Sequence, residues 1–182
     1  MNVSFESKRA RKGAVLLSLL FLAVSSMGMG PLVATATPPV AQAAVTAPMI
    51  TVTDIEGQEL SLAENVAEGK PTVIYFMASW CPICATNWES LNRVVPKYEG
   101  SVDFIAISID PTDTVDVLQK LAEEKGFTFR TSPGNVDAMM QFRVTAQTAK
   151  FAIDGEGNIV YRHDGALSEA EWESVFAQLV NG

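Results

Sequence analysis

In "TVIYFMASWCPICATNWESL", residues 72–91, an apolar run leads into two closely spaced cysteines. The run Thr72–Ala78 is apolar, β-branched and aromatic, which is typical of a buried strand. Behind it, Cys84, Trp88 and Leu91 recur at steps of four and three residues, and this spacing lines one face of a helix. The sequence therefore predicts a strand that ends just before the first cysteine and a helix that begins there.

This arrangement gives the two cysteines different chemistry. Cys81 is placed at the amino terminus of the helix, where unpaired backbone N–H groups and the helix dipole favour a thiolate. Cys81 is therefore the predicted nucleophile that attacks a partner disulfide, and Cys84, one turn along, is the predicted resolving cysteine. Pro82 suits the first helical turn because its missing N–H costs nothing there.

The rest of the chain alternates predicted strands with predicted helices. Further strands are predicted over residues 103–109, 150–153 and 158–162, the last two forming a β-hairpin around the turn 154–157. Helices are predicted between the start signals at 110–112 and Gly126, over 136–142, and behind a capping box at 168–171, while Pro96 ends the first helix. A strand–helix–strand order followed by a hairpin indicates an α/β domain with a mixed sheet.

The amino-terminal region has the layout of a secretory signal peptide. Basic residues within 8–12 precede the apolar run Ala14–Val24, and small residues follow. We expect cleavage after Ala43, with an uncleaved membrane anchor over Ala14–Ala36 as the alternative. The predicted organisation is therefore a signal peptide or anchor over 1–43, a linker over 44–50 and one domain over 51–182.

Charge and cysteine count exclude several function classes. The formal net charge is −8, and it becomes about −11 without residues 1–43, which hold more basic than acidic residues. An acidic surface repels phosphate backbones, so nucleic acid is not an expected partner. Two cysteines and one histidine do not supply the four ligands of a usual structural zinc site, and we predict no metal and no cofactor. A purely structural bridge is also disfavoured, because so short a loop removes little chain entropy.

Three segments together resemble one known family. They are "VIYFMASWCPIC" (73–84), "VDFIAISID" (102–110) and "FAIDGEGNIVYRHDG" (151–165). The chain is similar in them to the thioredoxin superfamily, specifically to exported TlpA/ResA-like thiol:disulfide oxidoreductases, over roughly Thr51–Val180. The resemblance implies a thioredoxin-like fold, a central mixed β-sheet flanked by helices, with Cys81 and Cys84 as the catalytic pair.

The resemblance also implies a function outside the cytoplasm, in the periplasm or on the extracytoplasmic face of a membrane. The protein would exchange its dithiol with protein thiols as a reductant for apocytochrome c or for a metal-site cysteine pair, and a membrane electron-donor protein would keep it reduced. The predicted substrate contacts are Trp80, Pro82, Ile83, Gln147 and Thr148. The direction of exchange stays open, because potentials in this fold span about −270 to about −120 mV.

Two other functions of the same fold are alternatives to this one. A copper-binding chaperone of oxidase assembly would use His163 with the two cysteines, although those proteins carry a longer cysteine spacing. A peroxidase would need a Thr-x-x-Cys type site with an activating arginine, which "ASWCPIC" (78–84) lacks.

One position departs from the family pattern. Relatives carry a cis-proline facing the disulfide, and "VTAQTAKFAID" (144–154) aligns Thr148 with it. A cis bond before a residue other than proline costs about 2.5 to 4 kcal/mol, so either the Gln147–Thr148 bond is strained or the loop is reshaped. We expect Thr148 to lie within contact distance of Cys81, with its hydroxyl or N–H bonded near the sulfur, which would make the protein more oxidising.

Overall fold

The computed structural model describes residues 45–181, so the predicted signal peptide lies outside the described residues. The strands are β1 (Val45–Thr46), β2 (Thr51–Thr53), β3 (Glu59–Ser61), β4 (Thr72–Met77), β5 (Asp103–Ser108), β6 (Arg130–Ser132), β7 (Lys150–Ile153) and β8 (Asn158–His163). The helices are α1 (Leu62–Ala67), α2 (Pro82–Val94), α3 (Val115–Lys125), α4 (Val136–Gln141) and α5 (Glu169–Asn181).

The main sheet is mixed, with the strand order β1-β8-β7-β4-β5-β6. Strands β4, β5 and β6 run parallel, whereas β7 is antiparallel to β4, and β8 is antiparallel to both β7 and β1. Strands β2 and β3 form a separate hairpin. All six residues of β4 are buried, as expected of a central strand covered on both faces. The end of β4 delivers the chain to α2, which positions the two cysteines.

Side chains of the central strands alternate between two apolar layers, as the period of a strand requires. Tyr75 and Met77 face the layer that holds both cysteines and the buried faces of α2 and α5. Ile74 and Phe76 face the opposite layer, which contains Phe142 behind α4. Lys150 lies opposite Tyr75 in the register of β7 and β4.

The main predicted elements are confirmed. Strand β7 has the predicted bounds, β4 and β5 each end one residue earlier than predicted, and β8 extends one residue further. Helix α2 ends at Val94, and a 3₁₀ turn containing Pro96 follows at Val95–Tyr98. At the start of α5 the Glu171 N–H donates to Ser168 Oγ and the Ser168 N–H to Glu171 Oε2, which is the predicted capping box.

The elements that the sequence analysis did not predict are the short ones. Strands β1, β2, β3 and β6 have two or three residues each, and α1 has six. A strand of two or three residues completes at most one alternation of side chains, so it shows no pattern in the sequence.

Part of the predicted linker belongs to the folded domain. Val45 and Thr46 pair with β8, and Ala47 and Ile50 are each 4% exposed. The Ala47 N–H donates to Gly157 O at 2.8 Å, so this segment adds an edge strand to the sheet. Within residues 45–181, no helix is long and apolar enough to cross a membrane.

Candidate active site

The two cysteines form a disulfide at the amino terminus of α2, with their Cα atoms 5.2 Å apart. Cys81 is the N-cap residue, and its Sγ accepts a hydrogen bond from the Cys84 N–H at 3.2 Å. Pro82 occupies the first helical position, as predicted. The sulfur of Cys81 thus takes the place at which helix N-caps ordinarily accept an orphan backbone N–H.

The surroundings of the disulfide are more closed than the sequence analysis implied. Cys84 is 0% exposed, as expected of a resolving cysteine, but Cys81 is only 2% exposed rather than accessible at an open helix end. Trp80 is 59% exposed and Ile83 46% exposed, and Pro82 between the cysteines is exposed as well. Exposed apolar side chains therefore flank a nearly buried disulfide, because the loop keeps its large side chains on the outside.

The indole ring of Trp80 is held by the loop that follows β5. Trp80 Nε1 donates a hydrogen bond to Asp110 Oδ2 at 2.6 Å, and Asp110 Oδ1 accepts from the backbone and the hydroxyl of Thr112. The bonds from Thr112, and then the bond from Trp80, hold the pKa of Asp110 below its ordinary value. An exposed aromatic side chain next to the first cysteine is thereby fixed in orientation.

A second carboxylate of the same loop fixes the backbone just before Cys81. Asp113 is 3% exposed and accepts from the Ser79 N–H at 2.9 Å, from Ser79 Oγ at 2.5 Å and from Ser108 Oγ at 2.5 Å. A buried carboxylate satisfied in this way ties the end of β5 to the turn that enters α2. Sequence analysis used residues 110–112 only as helix start signals and missed both carboxylates, whose role depends on a contact across about thirty residues of chain.

The prediction for Thr148 is wrong in its hydrogen bonds. Its N–H donates to Phe76 O at 2.7 Å, and its hydroxyl oxygen accepts from the Gly165 N–H at 2.9 Å, so neither group bonds a sulfur atom. The reason is that Thr148 continues the pairing between β4 and β7, with φ at +76°. Proline could adopt neither this φ nor the N–H bond, so the loop is reshaped relative to the cis-proline pattern. Gln147, the half-buried residue before it, remains a predicted substrate contact.

Behind the disulfide lies a buried polar cluster that joins α2 to the loop between β8 and α5. Asn87 is 0% exposed, its Oδ1 accepts from the Leu167 N–H and from Trp172 Nε1, and its Nδ2 donates to Gly165 O at 3.5 Å. The ammonium group of Lys150 donates to the same Gly165 carbonyl. In the sequence, Asn87 and Tyr75 differ from the acidic residues that relatives carry at these positions, but their contacts with each other and with the loop after β8 were not predictable.

Tyr75 completes this cluster on β4. Burial raises the pKa of the Tyr75 phenol, and the nearby Asn87 side chain offsets part of the effect. The phenol oxygen has no hydrogen-bond partner among residues 45–181. A buried tyrosine hydroxyl without a partner is uncommon, so the cluster is not a fully satisfied structural network.

A metal site with His163 is not assembled in the described part of the chain. His163 ends β8 and its ring stacks on Tyr161 at a centroid distance of 6.2 Å. Nowhere in residues 45–181 do three His, Cys, Asp or Glu side chains come together in a way that could hold a metal ion. The alternative of a copper chaperone therefore gains no support from the geometry.

Comparison with protein families and curated proteins gives consistent matches. The family model described as "AhpC/TSA family" matches residues 43–162. A thiol-disulfide oxidoreductase ResA of Bacillus thuringiensis (strain Al Hakam) is 26% identical over 135 residues, which cover 73% of this chain and 76% of the relative. A thiol:disulfide interchange protein DsbE of Pasteurella multocida is 26% identical over 130 residues, covering 69% and 68% of the two chains.

Solved structures show the same fold at lower identity. A thiol:disulfide interchange protein of the thioredoxin family from Chlorobium tepidum TLS superposes with a TM-score of 0.67 at 19% identity, covering 76% of this chain and 97% of the other. A secreted Mycobacterium tuberculosis disulfide oxidoreductase, described as homologous to E. coli DsbE, gives a TM-score of 0.62 at 23% identity, covering 72% and 96%. These superpositions support the predicted thioredoxin-like fold.

Proposed function

Because the chain belongs to the AhpC/TSA family and is a thiol-disulfide oxidoreductase of the ResA/DsbE type, we propose that Cys81 and Cys84 are its redox-active pair. The observation that carries the proposal is the disulfide at the amino terminus of α2, where a backbone N–H already bonds the Cys81 sulfur. The same N–H would stabilise a thiolate on that sulfur after reduction.

In the proposed cycle the reduced protein acts first through Cys81. Its thiolate attacks a substrate disulfide, forming a mixed disulfide and releasing one substrate thiolate, which takes up a proton. Cys84 then loses its proton and attacks the Cys81 sulfur, which releases the second substrate thiol and restores the internal disulfide. The substrate gains two electrons, and the protein must regain them from a donor dithiol, for which we propose a membrane electron-donor protein.

The substrate would dock on the side chains that surround the disulfide. Trp80, Pro82 and Ile83 are exposed and apolar, which suits a loop of a partner polypeptide. Gln147 and Thr148 are the proposed contacts on the opposite segment. Because Cys81 is 2% exposed, we propose that a docking chain displaces part of this apolar rim to reach the sulfur.

We further propose that the protein works outside the cytoplasm as a reductant of an apocytochrome c or of a metal-site cysteine pair. The support is the signal-like sequence of residues 1–43 and the similarity to ResA and DsbE proteins. A reductant of this kind needs a potential toward the negative end of the range of the fold, near about −270 mV. A measured value near about −120 mV would instead indicate an oxidant.

Trapping in cells tests the roles of the two cysteines. A Cys84→Ser variant keeps the attacking sulfur and loses the resolving one, so higher-mass adducts that disappear on reduction should accumulate on a non-reducing gel. The matched Cys81→Ser variant should trap little. Adducts with Cys81→Ser and none with Cys84→Ser would invert the assignment, and adducts with neither would contradict protein thiol exchange.

Substrate choice is tested with purified peptides. The reduced protein should reduce an oxidised peptide of the Cys-x-x-Cys-His type, the haem-attachment sequence of c-type cytochromes, faster than a peptide whose two cysteines are further apart. Equal rates for both peptides would remove the argument for an apocytochrome substrate and leave general thiol exchange.

A further inference from the structure

Lys150, at the start of β7, is 1% exposed and is the one basic side chain that is buried among residues 45–181. Lysine is almost never fully buried unless it is paired, because removing its ammonium group from water is costly. No carboxylate of the described chain forms an ion pair with it. A buried, unpaired ammonium group is unfavourable for stability, and the proposed redox cycle does not explain why Lys150 is there.

The ammonium group is partly compensated by neutral partners. It donates a hydrogen bond to Gly165 O, and it lies 5.6 Å from the ring centroid of Tyr75 and 5.4 Å from that of Trp172. Aromatic faces attract a cation, particularly away from water. The negative charges that act on it are Asp164, in the loop after β8, and Glu171, on α5.

This ammonium group lies in the layer of the redox pair. Lys150 is opposite Tyr75, whose side chain packs in the same layer as both cysteines. The carbonyl that accepts from Lys150 also accepts from Asn87 Nδ2, and Asn87 follows Cys84 by one helical turn. The buried ammonium group and the cysteine pair therefore share one apolar layer, which also contains the Tyr75 and Trp172 rings that Lys150 contacts.

We propose that Lys150 is a positioning residue of the redox site, whose buried positive charge favours the reduced, thiolate form of the cysteine pair and makes the reduction potential depend on its own protonation. The proposal rests on the assignment of Cys81 and Cys84 as the redox pair. It does not depend on whether the protein serves as a reductant or as an oxidant.

The physical reason is that only one redox state carries the charge that Lys150 attracts. The disulfide is neutral, whereas the reduced pair carries a thiolate, and two charges in the same buried layer are poorly screened from each other. The cation therefore stabilises the reduced form relative to the oxidised form. The Gly165 carbonyl joins Lys150 to Asn87 on α2, the helix whose amino terminus holds the cysteines.

The attraction between the thiolate and the ammonium group also affects the pKa of Lys150. In the disulfide form, burial lowers the pKa of Lys150 to about 8, against the opposing effect of Asp164 and Glu171. Linkage requires a thiolate that appears on reduction to raise this pKa. Below pH 7 the ammonium is charged in both states. Between about pH 8 and the higher pKa of the reduced form, reduction should take up as much as one further proton at Lys150, so the potential should fall more steeply with pH in that range.

The other titratable groups facing Lys150 must be considered in this range. His163 on β8 lies opposite Lys150 in the strand register, and Tyr75 on β4 has a raised pKa that keeps it neutral. The nearby carboxyl groups are those of Asp164 and of Glu171, whose pKa is lowered. The Lys150→Met variant separates the contribution of Lys150 from that of these groups.

The test is the reduction potential against glutathione between pH 6 and pH 9.5. We compare the wild type with Lys150→Met, which keeps an apolar stem without charge, and with Lys120→Met, which removes an exposed lysine of α3. At pH 7 the equilibrium constant for reduction should fall about three- to tenfold in Lys150→Met, equivalent to about 15–30 mV, and the steeper slope above pH 8 should vanish. Lys120→Met should follow the wild type. An unchanged potential and pH profile in folded Lys150→Met would overturn the proposal.

A measurement on the wild type covers the case in which Lys150→Met does not fold. The Cε signal of Lys150 can be followed by NMR in the oxidised and in the reduced protein. Its pKa should be near 8 in the oxidised form and higher in the reduced form, and equal values would overturn the proposal. If the wild type fails to exchange disulfides with glutathione at all, the proposed function fails, which is a different outcome.

Discussion

Cys81 shows what a single position can and cannot reveal from sequence. Its place at the start of a helix was predictable, because a buried strand, a proline at the next position and an apolar helix face all agree on it. Its 2% exposure was not predictable, because that depends on how Cys81 packs into the core layer between the sheet and the helices. The local sequence pattern thus predicts that the sulfur lies at a helix amino terminus. Its exposure to solvent depends on the packing of the whole domain.

The two cysteines of the reduced protein should therefore be alkylated at different rates. Cys84 is fully buried, and Cys81 receives a backbone N–H bond, so Cys81 should react with iodoacetamide at least about tenfold faster at pH 7. Mass spectrometry of partly labelled protein measures the two rates. Equal rates at the two positions would contradict the difference in roles.

Thr148 should tolerate glycine better than proline. The Thr148→Pro change removes the N–H bond to Phe76 and is incompatible with φ of +76°, so it should lower the free energy of unfolding by about 2–4 kcal/mol. The control Thr148→Gly keeps the N–H and accepts the positive φ, loses the hydroxyl that accepts from the Gly165 N–H, and should cost less than the proline change. Urea unfolding measures both, and a proline variant as stable as the wild type would contradict the described backbone.

Trp80 should report the ionisation of Asp110. The pKa of this carboxyl is below its ordinary value, so the bond to the indole is present above the ordinary range of an aspartate and is lost only as the pH falls through the lowered pKa. The indole N–H signal of Trp80 in NMR should shift in that acid range. Asp110→Asn should abolish the shift, and an unchanged titration in that variant would refute the assignment.

At the scale of elements, the loop between β5 and α3 is what orients the cysteine turn. Asp110 bonds Trp80, Asp113 bonds Ser79, and the loop packs on the backbone of Gly134. The loop itself was predictable from the sequence, but the hydrogen bonds of its two carboxylates to the cysteine turn were not, because a carboxylate in a turn is also a common helix start signal. Long strands and helices were predictable from their periods, whereas contacts between loops were not.

Gly134→Ala tests this loop. An added Cβ would lie 2.4 Å from Asp110 O, so the loop must move, with a loss of about 1–3 kcal/mol in the free energy of unfolding. Trp88 and Trp172 are buried, so iodide quenching reports mainly on Trp80, and quenching should increase. Gly57→Ala has open space around the added Cβ, and its φ of +80° strains only the turn between β2 and β3, so quenching should stay unchanged. Equal quenching in both variants would contradict the role of the loop.

At the scale of the whole molecule, the boundary of the domain lies earlier than the sequence indicated. The sheet order and the two layers follow from strand and helix patterns, but residues 45–50 lack any pattern and were assigned to a linker. Ile50 is buried, and its carbonyl accepts from the Leu62 N–H at 2.9 Å. Whether a single residue of an irregular segment is buried depends on the elements that pack around it. The sequence of the segment alone therefore does not predict its burial.

A protein that begins at Thr51 should be less stable than one that begins at Ala44. Burying one isoleucine contributes about 1.5–3 kcal/mol, and the pairing of β1 adds to this, so we expect a loss of about 2–4 kcal/mol. Urea unfolding of the two forms measures it, and equal midpoints would contradict the packing of residues 45–50.

The short β1 strand also bears on how the protein behaves at high concentration. It pairs with Asn158 and Ile159 only, so the outer edge of β8 from Val160 onward has no strand partner among the described residues. An open edge is a template for pairing with another copy of the same chain. Arg162 lies on this edge and is exposed, and in an antiparallel pairing of two copies centred on it the two guanidinium groups would repel each other. Like charge at Arg162 thus disfavours edge-to-edge association of two copies in that register.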